Sequence, residues 1–176
     1  EDLLAYARTE RRALSVQPVD LRQAVEQVCA DAADDLAAGR IELQVDVPEL
    51  SVQADAEGLM LVLRNLLSNA IKFSANSQPP RVRIRARVPA DAAGQAEISI
   101  EDNGVGFDMS YHDRIFEIFQ RLHRMEDYPG TGIGLALVRK AMQRMGGSVR
   151  AISTPGQGAT FVLRLPLSRP PAPDAA

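Results

Sequence analysis

Apolar residues recur at intervals of three and four after residue 20, and this spacing predicts a helix. Asp20 followed by Gln23 matches a capping box at the helix start, and Gly39 ends the pattern. The apolar positions of this predicted helix are Leu21, Val25, Val28, Ala32 and Leu36.

Two further helices are predicted by the same spacing. One is capped by Asp55 and runs to about Phe73, and the other runs from about Gly134 to Met145 and stops at the glycine pair 146–147. The apolar face of the first comprises Leu59, Leu63, Leu66 and Ala70. The apolar face of the second comprises Leu135, Val138, Met142 and Met145.

Strict alternation of apolar and polar residues predicts strands at 41–47, 81–88 and 96–102, with a short strand at 51–54. A hairpin is expected from 148–153 and 159–165 around the turn sequence TPGQG. Because strands and helices segregate along the chain, we expect an α+β fold with an antiparallel or mixed sheet and helices on one face.

Composition limits the function classes. The chain has 176 residues, 45% of them hydrophobic and 24% charged, which is typical of one globular domain. The net charge of −3 gives no overall basic field for nucleic acid. No apolar run approaches the roughly 18 residues that span a membrane, so no membrane contact is expected. Cys29 is the only cysteine, which excludes an internal disulfide and favours a reducing, cytoplasmic compartment.

One charged pattern has two interpretations. The predicted strand 81–88 carries arginine at every second position, so that four guanidinium groups share one strand face. Such a row is compatible with an acidic or nucleic-acid partner, but it is also typical of a solvated strand face.

The most unusual stretch is YPGTGIGLAL, residues 128–137, in which Gly130, Gly132 and Gly134 alternate. The spacing differs from a dinucleotide-binding G-x-G-x-x-G motif, and the chain contains no G-K-[ST] triplet of a P-loop. The glycines precede a predicted helix, whose free N–H groups favour an anion. The alternative is a flexible loop with a glycine at the helix entry.

The helix after Asp55 adds a polar stripe. Asn65, Asn69 and Lys72 lie within about 60° of one another on a helical wheel. Neutral oxygen ligands beside an ammonium group suit hydrated Mg²⁺ with phosphates, whereas the alternative is a polar solvent face.

A third feature is EDNGVGFD at 101–108. Asp102 continues the apolar row of the preceding strand, where a carboxylate is costly unless it accepts hydrogen bonds. With Gly104 and Gly106 leaving room for a ligand, this carboxylate can accept from an exocyclic amine such as that of adenine. The alternative is a hairpin turn with a capping Asp.

Taken in order, these motifs resemble the sequence boxes of sensor histidine kinases. The matching segments are NLLSNAIKFS, DNGVGFD, IFEIFQRL, GTGIGLAL and GQGATF. The resemblance covers about residues 17–167, and the run IFQRLHRMEDYPGTGIGLAL is most similar to phytochrome-type and related sensor kinases. It implies a Bergerat ATP-binding fold, a two-layer sandwich in which three helices cover one face of a mixed, mostly antiparallel five-stranded sheet.

The resemblance also implies a Mg·ATP site. Asn69 would coordinate Mg²⁺, and Asn65 and Lys72 would lie beside the phosphates. Asp102 would accept from the adenine amine, with Gly104 and Gly106 giving room and Thr160 supporting the base through water.

A mobile lid over the nucleotide is implied as well. Phe116 and Phe119 would anchor this lid, and Arg121 would reach toward the phosphates. The hinge and the phosphate-facing helix start would comprise Gly130, Thr131, Gly132, Ile133, Gly134 and Leu135.

Asn65 distinguishes subclasses of the fold. Gyrase, mismatch-repair proteins, heat-shock chaperones and anti-sigma serine kinases of this fold have a glutamate general base at that position. Because an amide cannot take up a proton at neutral pH, Asn65 disfavours a hydrolase or serine kinase. A histidine acceptor is favoured, since a neutral imidazole is already nucleophilic near pH 7.

The acceptor histidine itself is expected outside this sequence. His112 and His123 fall in or near the predicted lid without an acceptor motif, and His123 is interpreted as a lid residue. Residues 1–16 resemble the end of a dimerisation helix, 17–167 would form the catalytic domain, and 168–176 a disordered tail. We expect a monomeric fragment of a homodimeric kinase that acts with its dimerisation domain and a response-regulator receiver domain.

Two other functions stay open on the sequence alone. A nucleotide-binding regulatory module without autokinase activity, degenerate or biased toward phosphatase action, would keep the same boxes. A protein-interaction domain would use the arginine row.

Overall fold

The structure, a computed structural model, describes residues 2–117 and 132–168. Within them the helices are α1 (Asp2–Arg11), α2 (Leu21–Asp31), α3 (Ala33–Ala38), α4 (Ala56–Ser74) and α5 (Gly134–Arg144). The strands are β1 (Val16–Asp20), β2 (Glu42–Asp46), β3 (Ser51–Asp55), β4 (Arg81–Arg87), β5 (Gln95–Asp102), β6 (Ser148–Ser153) and β7 (Ala159–Pro166). None of these helices combines the length and apolar character needed to cross a membrane.

The main sheet has the order β2-β4-β5-β7-β6 and is mixed. β2 and β4 run parallel because β3 and α4 carry the chain back between them, whereas the other three pairs are antiparallel. The expected mixed, mostly antiparallel five-stranded sheet is therefore confirmed.

The hydrophobic core lies between this sheet and the helix layer. α2, α4 and α5 supply the helical side, and the inward rows of β4, β5 and β7 supply the other side. The predicted apolar faces of α4 and α5 are buried, with Leu135 only partly so. The helices begin as expected: Asp20 caps α2 by accepting from the N–H of Gln23, and Asp55 caps α4 by accepting from that of Gly58.

Three local predictions differ from the structure. The helix expected to continue to Gly39 breaks at Ala32, and Asp34 and Asp35 then lie in the first turn of α3, where the helix dipole favours acidic side chains. The strand β1 was not predicted. It contains Pro18 and is mostly exposed, so its residues show no alternation of apolar and polar positions. The alternation at 41–47 predicts that Val45 shares one half-buried face with Leu43, but Val45 is 42% exposed because β2 is an edge strand.

A small second sheet joins the first part of the chain to the core. β1 pairs antiparallel with β3, with Val19 opposite Val52. Val52 also forms an isolated bridge to Leu167, which links this sheet to the end of β7.

α1 lies outside the core and contacts the starts and ends of the core helices. Arg12 pairs with the buried carboxylate of Asp55, the cap of α4. On α5, Lys140 pairs with Glu10 at 3.2 Å and Arg144 donates to backbone carbonyls at the end of α1. These ionic contacts fix α1 against the two helices that carry the polar stripe and the glycine motif.

Candidate nucleotide-binding site

The centre of the site is Asp102 at the end of β5. Its side chain continues the inward apolar row, and the residue is only 6% exposed. Its carboxylate accepts from the N–H of Gly104 at 2.8 Å and from the N–H of Ala159. Burial raises the pKa of Asp102 from 3.8 to about 6; the two N–H donors offset part of that rise and the nearby Glu101 adds to it. This is a desolvated carboxylate with acceptor capacity left for a ligand amine.

The glycines around Asp102 are required by the protein backbone. A Cβ on Gly104 would lie 2.1 Å from the carbonyl oxygen of Phe73, and one on Gly106 would lie 2.4 Å from that of Thr154. Gly106 also has a positive φ of 64°. A side chain at either position would meet neighbouring chain segments, so the packing of the protein itself requires glycine here.

The polar stripe of α4 meets the start of α5. Asn65 donates through Nδ2 to the carbonyl of Leu61 at 2.8 Å, and its Oδ1 would lie 2.9 Å from a Cβ on Gly134. Gly134 thus allows the first turn of α5 to approach this amide. Asn69 is half-buried one turn after Asn65, and the ammonium of Lys72 lies 4.7 Å from the ring centre of Phe73.

The start of α5 presents backbone donors. Ile133 is buried and fixes the entry of the helix, while Gly132 has a φ of 77°. Among the described residues, the N-cap residue Ile133 makes no side-chain cap hydrogen bond, and the first N–H groups of a helix have no partner within the helix, which favours an anion at this point. Leu135 packs partly against the core. The structure brings Asn65 of α4 and Gly134 of α5 together. Asn69 lies one turn after Asn65 on α4.

Phe116 joins the sheet to α5. Its ring lies edge-on to Phe161 of β7, with the centroids 6.2 Å apart, and the guanidinium of Arg139 lies 5.9 Å from its centre. The other residues expected in the lid lie outside the described residues. They are Phe119, Arg121, His123, Gly130 and Thr131.

Thr160 of β7 lies apart from Asp102. Thr160 stands in register with Glu101, whereas Ala159 stands in register with Asp102. Because side chains alternate along a strand, the Thr160 side chain lies on the sheet face opposite Asp102. The structure does not bring it into the cluster.

Two residues of the site were not identified from the sequence. Ala159 donates its N–H to Asp102, and a Cβ on Gly158 would lie 2.0 Å from the Asp102 carbonyl oxygen. Gly158 has a φ of 83°. The segment GQGATF already marked this strand start, but only the pairing of β5 with β7 shows that its backbone contacts Asp102.

The arginine row is largely paired on the outer sheet face. Arg81 contacts Glu42 at 3.0 Å, and Arg85 contacts Glu101 at 3.5 Å. Arg87 pairs with Glu97 at 3.0 Å. Burial alone would raise the pKa of Glu97, but hydrogen bonds from Arg87 and a second arginine, Arg164, outweigh it and lower that pKa. These pairs favour the solvated-face interpretation over an acidic partner.

The described part of the site contains no metal centre made by protein side chains alone. Within residues 2–117 and 132–168, no cluster of three or more His, Cys, Asp or Glu side chains could hold a metal ion. Mg²⁺ does not need such a cluster, since it commonly binds through one or two protein oxygens together with phosphates and water. The half-buried amide of Asn69 fits that mode.

Comparison with known proteins gives one consistent family. The family model of histidine kinase-, DNA gyrase B- and HSP90-like ATPases matches residues 54–169. The chain is 34% identical over 95% of its length to the phytochrome-like protein Cph1 of Synechocystis sp., covering 22% of that protein. It is 36% identical over 96% of its length to the histidine-protein kinase AtoS of Escherichia coli, covering 26% of it.

Solved structures agree with this family. Full-length ShkA in complex with AMPPNP matches with a TM-score of 0.81 and 30% identity, over 96% of this chain and 35% of that one. The mycobacterial sensor histidine kinase MprB matches with a TM-score of 0.76 and 27% identity, over 89% of this chain and 100% of that one. The chain spans about a fifth to a quarter of the curated relatives described above. The chain belongs to the histidine kinase-, gyrase B- and HSP90-like ATPase family, as an ATPase domain of the sensor histidine kinase type.

Proposed function

We propose that this domain binds Mg·ATP and presents the γ-phosphoryl group to a histidine on a dimerisation domain. The observation that carries the proposal is the buried carboxylate of Asp102, held by two backbone N–H groups at the end of β5. These two donors offset part of the cost of burying the carboxylate, and a ligand amine that donates to its remaining acceptor sites would offset more of it.

At the adenine end, Asp102 accepts from the exocyclic amine. Its oxygens are already oriented by the N–H groups of Gly104 and Ala159, so little reorganisation accompanies binding. The pKa of Asp102, although raised to about 6, still lies below neutral pH, so the carboxylate is mostly ionised there and can form a charge-assisted hydrogen bond.

At the phosphate end, the first turn of α5 and the polar stripe of α4 act together. The N–H groups of the first turn after Ile133 receive a phosphate oxygen, and the Lys72 ammonium on α4 adds positive charge. Asn69 would hold Mg²⁺, which would neutralise the charge of the phosphates. Outside the described residues, Arg121 and the glycines from 130 are proposed to complete this end.

The domain positions the phosphoryl group without supplying a general base. Asn65 occupies the place of a glutamate in related hydrolases, and its amide nitrogen is engaged with Leu61. Proton abstraction from water therefore has no carboxylate at this point, while an imidazole acceptor needs none. Catalysis consists mainly of orientation and charge stabilisation.

The partners proposed are the dimerisation domain with the acceptor histidine and the receiver domain of a response regulator. The similarity to sensor kinases such as AtoS supports this assignment. The relatives are much longer than this chain. We therefore include in the proposal that this domain acts within a homodimeric signalling kinase.

Calorimetric titration of the domain with Mg·ATP tests the binding. Asp102→Asn and Asn69→Ala should each weaken it at least tenfold, because each removes a contact of about 1.5 kcal/mol or more to a charged group. Glu101→Gln is the matched control, as its side chain lies on the outer sheet face beside Arg85. A folded wild-type domain that binds no nucleotide would refute the proposal.

Phosphotransfer needs a second experiment. The domain is mixed with a helical hairpin that contains an acceptor histidine, and acid-labile phosphohistidine is measured. Binding of Mg·ATP without phosphohistidine would favour the regulatory-module alternative.

A further inference from the structure

His112 contacts the free edge of the main sheet. β6 is an edge strand that pairs with β7, and its Ala151 directs its N–H away from β7. That N–H donates to Nε2 of His112 at 3.0 Å. The imidazole therefore fixes the segment after β5 to the far edge of the sheet.

The two hydrogen bonds of the ring assign its tautomer. Nε2 accepts from Ala151, so the proton must be on Nδ1. Nδ1 lies 2.9 Å from Oδ1 of Asp113 and donates to it. A neutral imidazole in one tautomer satisfies both contacts.

The same ring packs against Phe116. The centroids of His112 and Phe116 are 5.5 Å apart at an interplanar angle of 63°, an edge-to-face arrangement. Phe116 is 2% exposed, and its ring also contacts Phe161 of β7 and the guanidinium of Arg139 on α5. His112 thus forms one wall of the pocket that holds Phe116.

We propose that His112 is a positioning residue for nucleotide binding, which acts by holding Phe116 against β7 and α5. The inference rests on the proposed function, because Phe116 belongs to the expected nucleotide site. Arg139 lies on the same helix as Gly134, whose close approach to Asn65 sets the phosphate end of the site. Release of Phe116 removes a contact that orients this helix.

Three variants separate the hydrogen bond from the ring. His112→Gln keeps an acceptor near the position of Nε2, His112→Phe keeps an aromatic ring without the acceptor, and His112→Ala removes both. We expect Mg·ATP affinity to fall about fivefold in the Phe variant, the factor of one net hydrogen bond, and further in the Ala variant. The Gln variant should recover most of the loss.

Nucleotide-free measurements distinguish failure of this proposal from failure of the proposed function. In the free 176-residue chain, nitrogen NMR should show an unprotonated Nε2. Hydrogen exchange of the Ala151 amide should be about fivefold faster in the Phe variant than in wild type. In the Gln variant the exchange rate should return to near the wild-type rate. The ring signals of Phe116 should shift in the Phe and Ala variants. Met109→Ala, in the same segment but exposed, is the control that should change none of these.

The outcomes are decisive in either case. If the proton resides on Nε2, or if the Gln and Phe variants bind nucleotide equally well, the proposal is overturned. If the wild-type domain binds no nucleotide, the proposed function fails, and unchanged Phe116 signals in the Phe and Ala variants would then overturn the positioning role separately.

Discussion

Replacement of Asp102 by asparagine should stabilise the folded domain while it weakens nucleotide binding. Asp102 is 6% exposed, and burial raises its pKa from 3.8 to about 6. A carboxylate kept ionised in such a place opposes folding, because the unfolded chain solvates the charge better. Asparagine has nearly the same shape and carries no charge.

The magnitude follows from the pKa shift. Two pH units correspond to about 3 kcal/mol of destabilisation at neutral pH. Asparagine keeps one acceptor oxygen but replaces the other with an amide group that cannot accept, which costs about 1 kcal/mol. The net gain at pH 7.5 is therefore about 2 kcal/mol.

The sign of the pH dependence is fixed by the same shift. Since the pKa of the folded state lies above that of the unfolded state, the folded wild-type domain binds the proton more tightly. The penalty is present above about pH 6 and disappears as the pH falls toward 3.8. The advantage of the variant should shrink through this window and reverse by about 1 kcal/mol once Asp102 is protonated.

Urea unfolding of both proteins at pH 7.5, 6 and 4.5 measures this difference, and other titrating groups cancel between them. Glu26→Gln is the control, since this glutamate lies on the exposed face of α2 and its replacement should give a difference within about 0.5 kcal/mol. Calorimetry at pH 7.5 should show Mg·ATP binding weakened by roughly tenfold or more in Asp102→Asn. An Asn variant that is less stable than wild type at pH 7.5, or a pH-independent difference, would refute the reasoning.

Three further predictions concern stability and are checked by urea unfolding. Gly104→Ala should lower the free energy of unfolding by about 2 kcal/mol or more, because the new Cβ would lie 2.1 Å from a backbone oxygen. Gly94→Ala is the control, since nothing lies within 4 Å of its Cβ position. Equal losses in the two variants would contradict the packing argument. Asp55→Ala should lower the free energy of unfolding by about 1–2 kcal/mol, because the α4 cap is lost. Asp55→Ser should restore most of that stability. If serine restores none of it, the loss comes from the ion pair with Arg12 instead. Leu66→Ala should cost about 2–5 kcal/mol, against less than about 1 kcal/mol for Ile152→Ala at an exposed site, and similar losses would contradict the placement of the core.

Local patterns predicted most of the elements correctly. The caps Asp20 and Asp55, the apolar face of α4 and the alternation of β4 and β5 depend on residues three, four or two positions apart, so the sequence contains them directly. β1 has no such pattern, because its residues are mostly exposed and it is held by pairing with β3.

In the candidate site, too, some features could be predicted from local sequence patterns and others depended on the fold. The sequence by itself identified Asp102, the amide stripe of α4 and the glycine motif before α5, because each residue type is unusual for its position in the pattern. Only the tertiary structure decided which of them meet. The strand register placed Thr160 on the opposite face and put Ala159 beside Asp102, since a shift of one residue reverses the face of a side chain.

Backbone proximity was likewise decided only by the fold. The close approach of Phe73 to Gly104 and of Asn65 to Gly134 joins segments that are distant in sequence, and no local periodicity records it. The contact of His112 with Ala151 is of the same kind, because an edge strand offers its unpaired N–H to whichever segment the fold brings there. The sequence determined the chemistry that is available, and the packing of α4, α5 and the sheet determined which groups can act together.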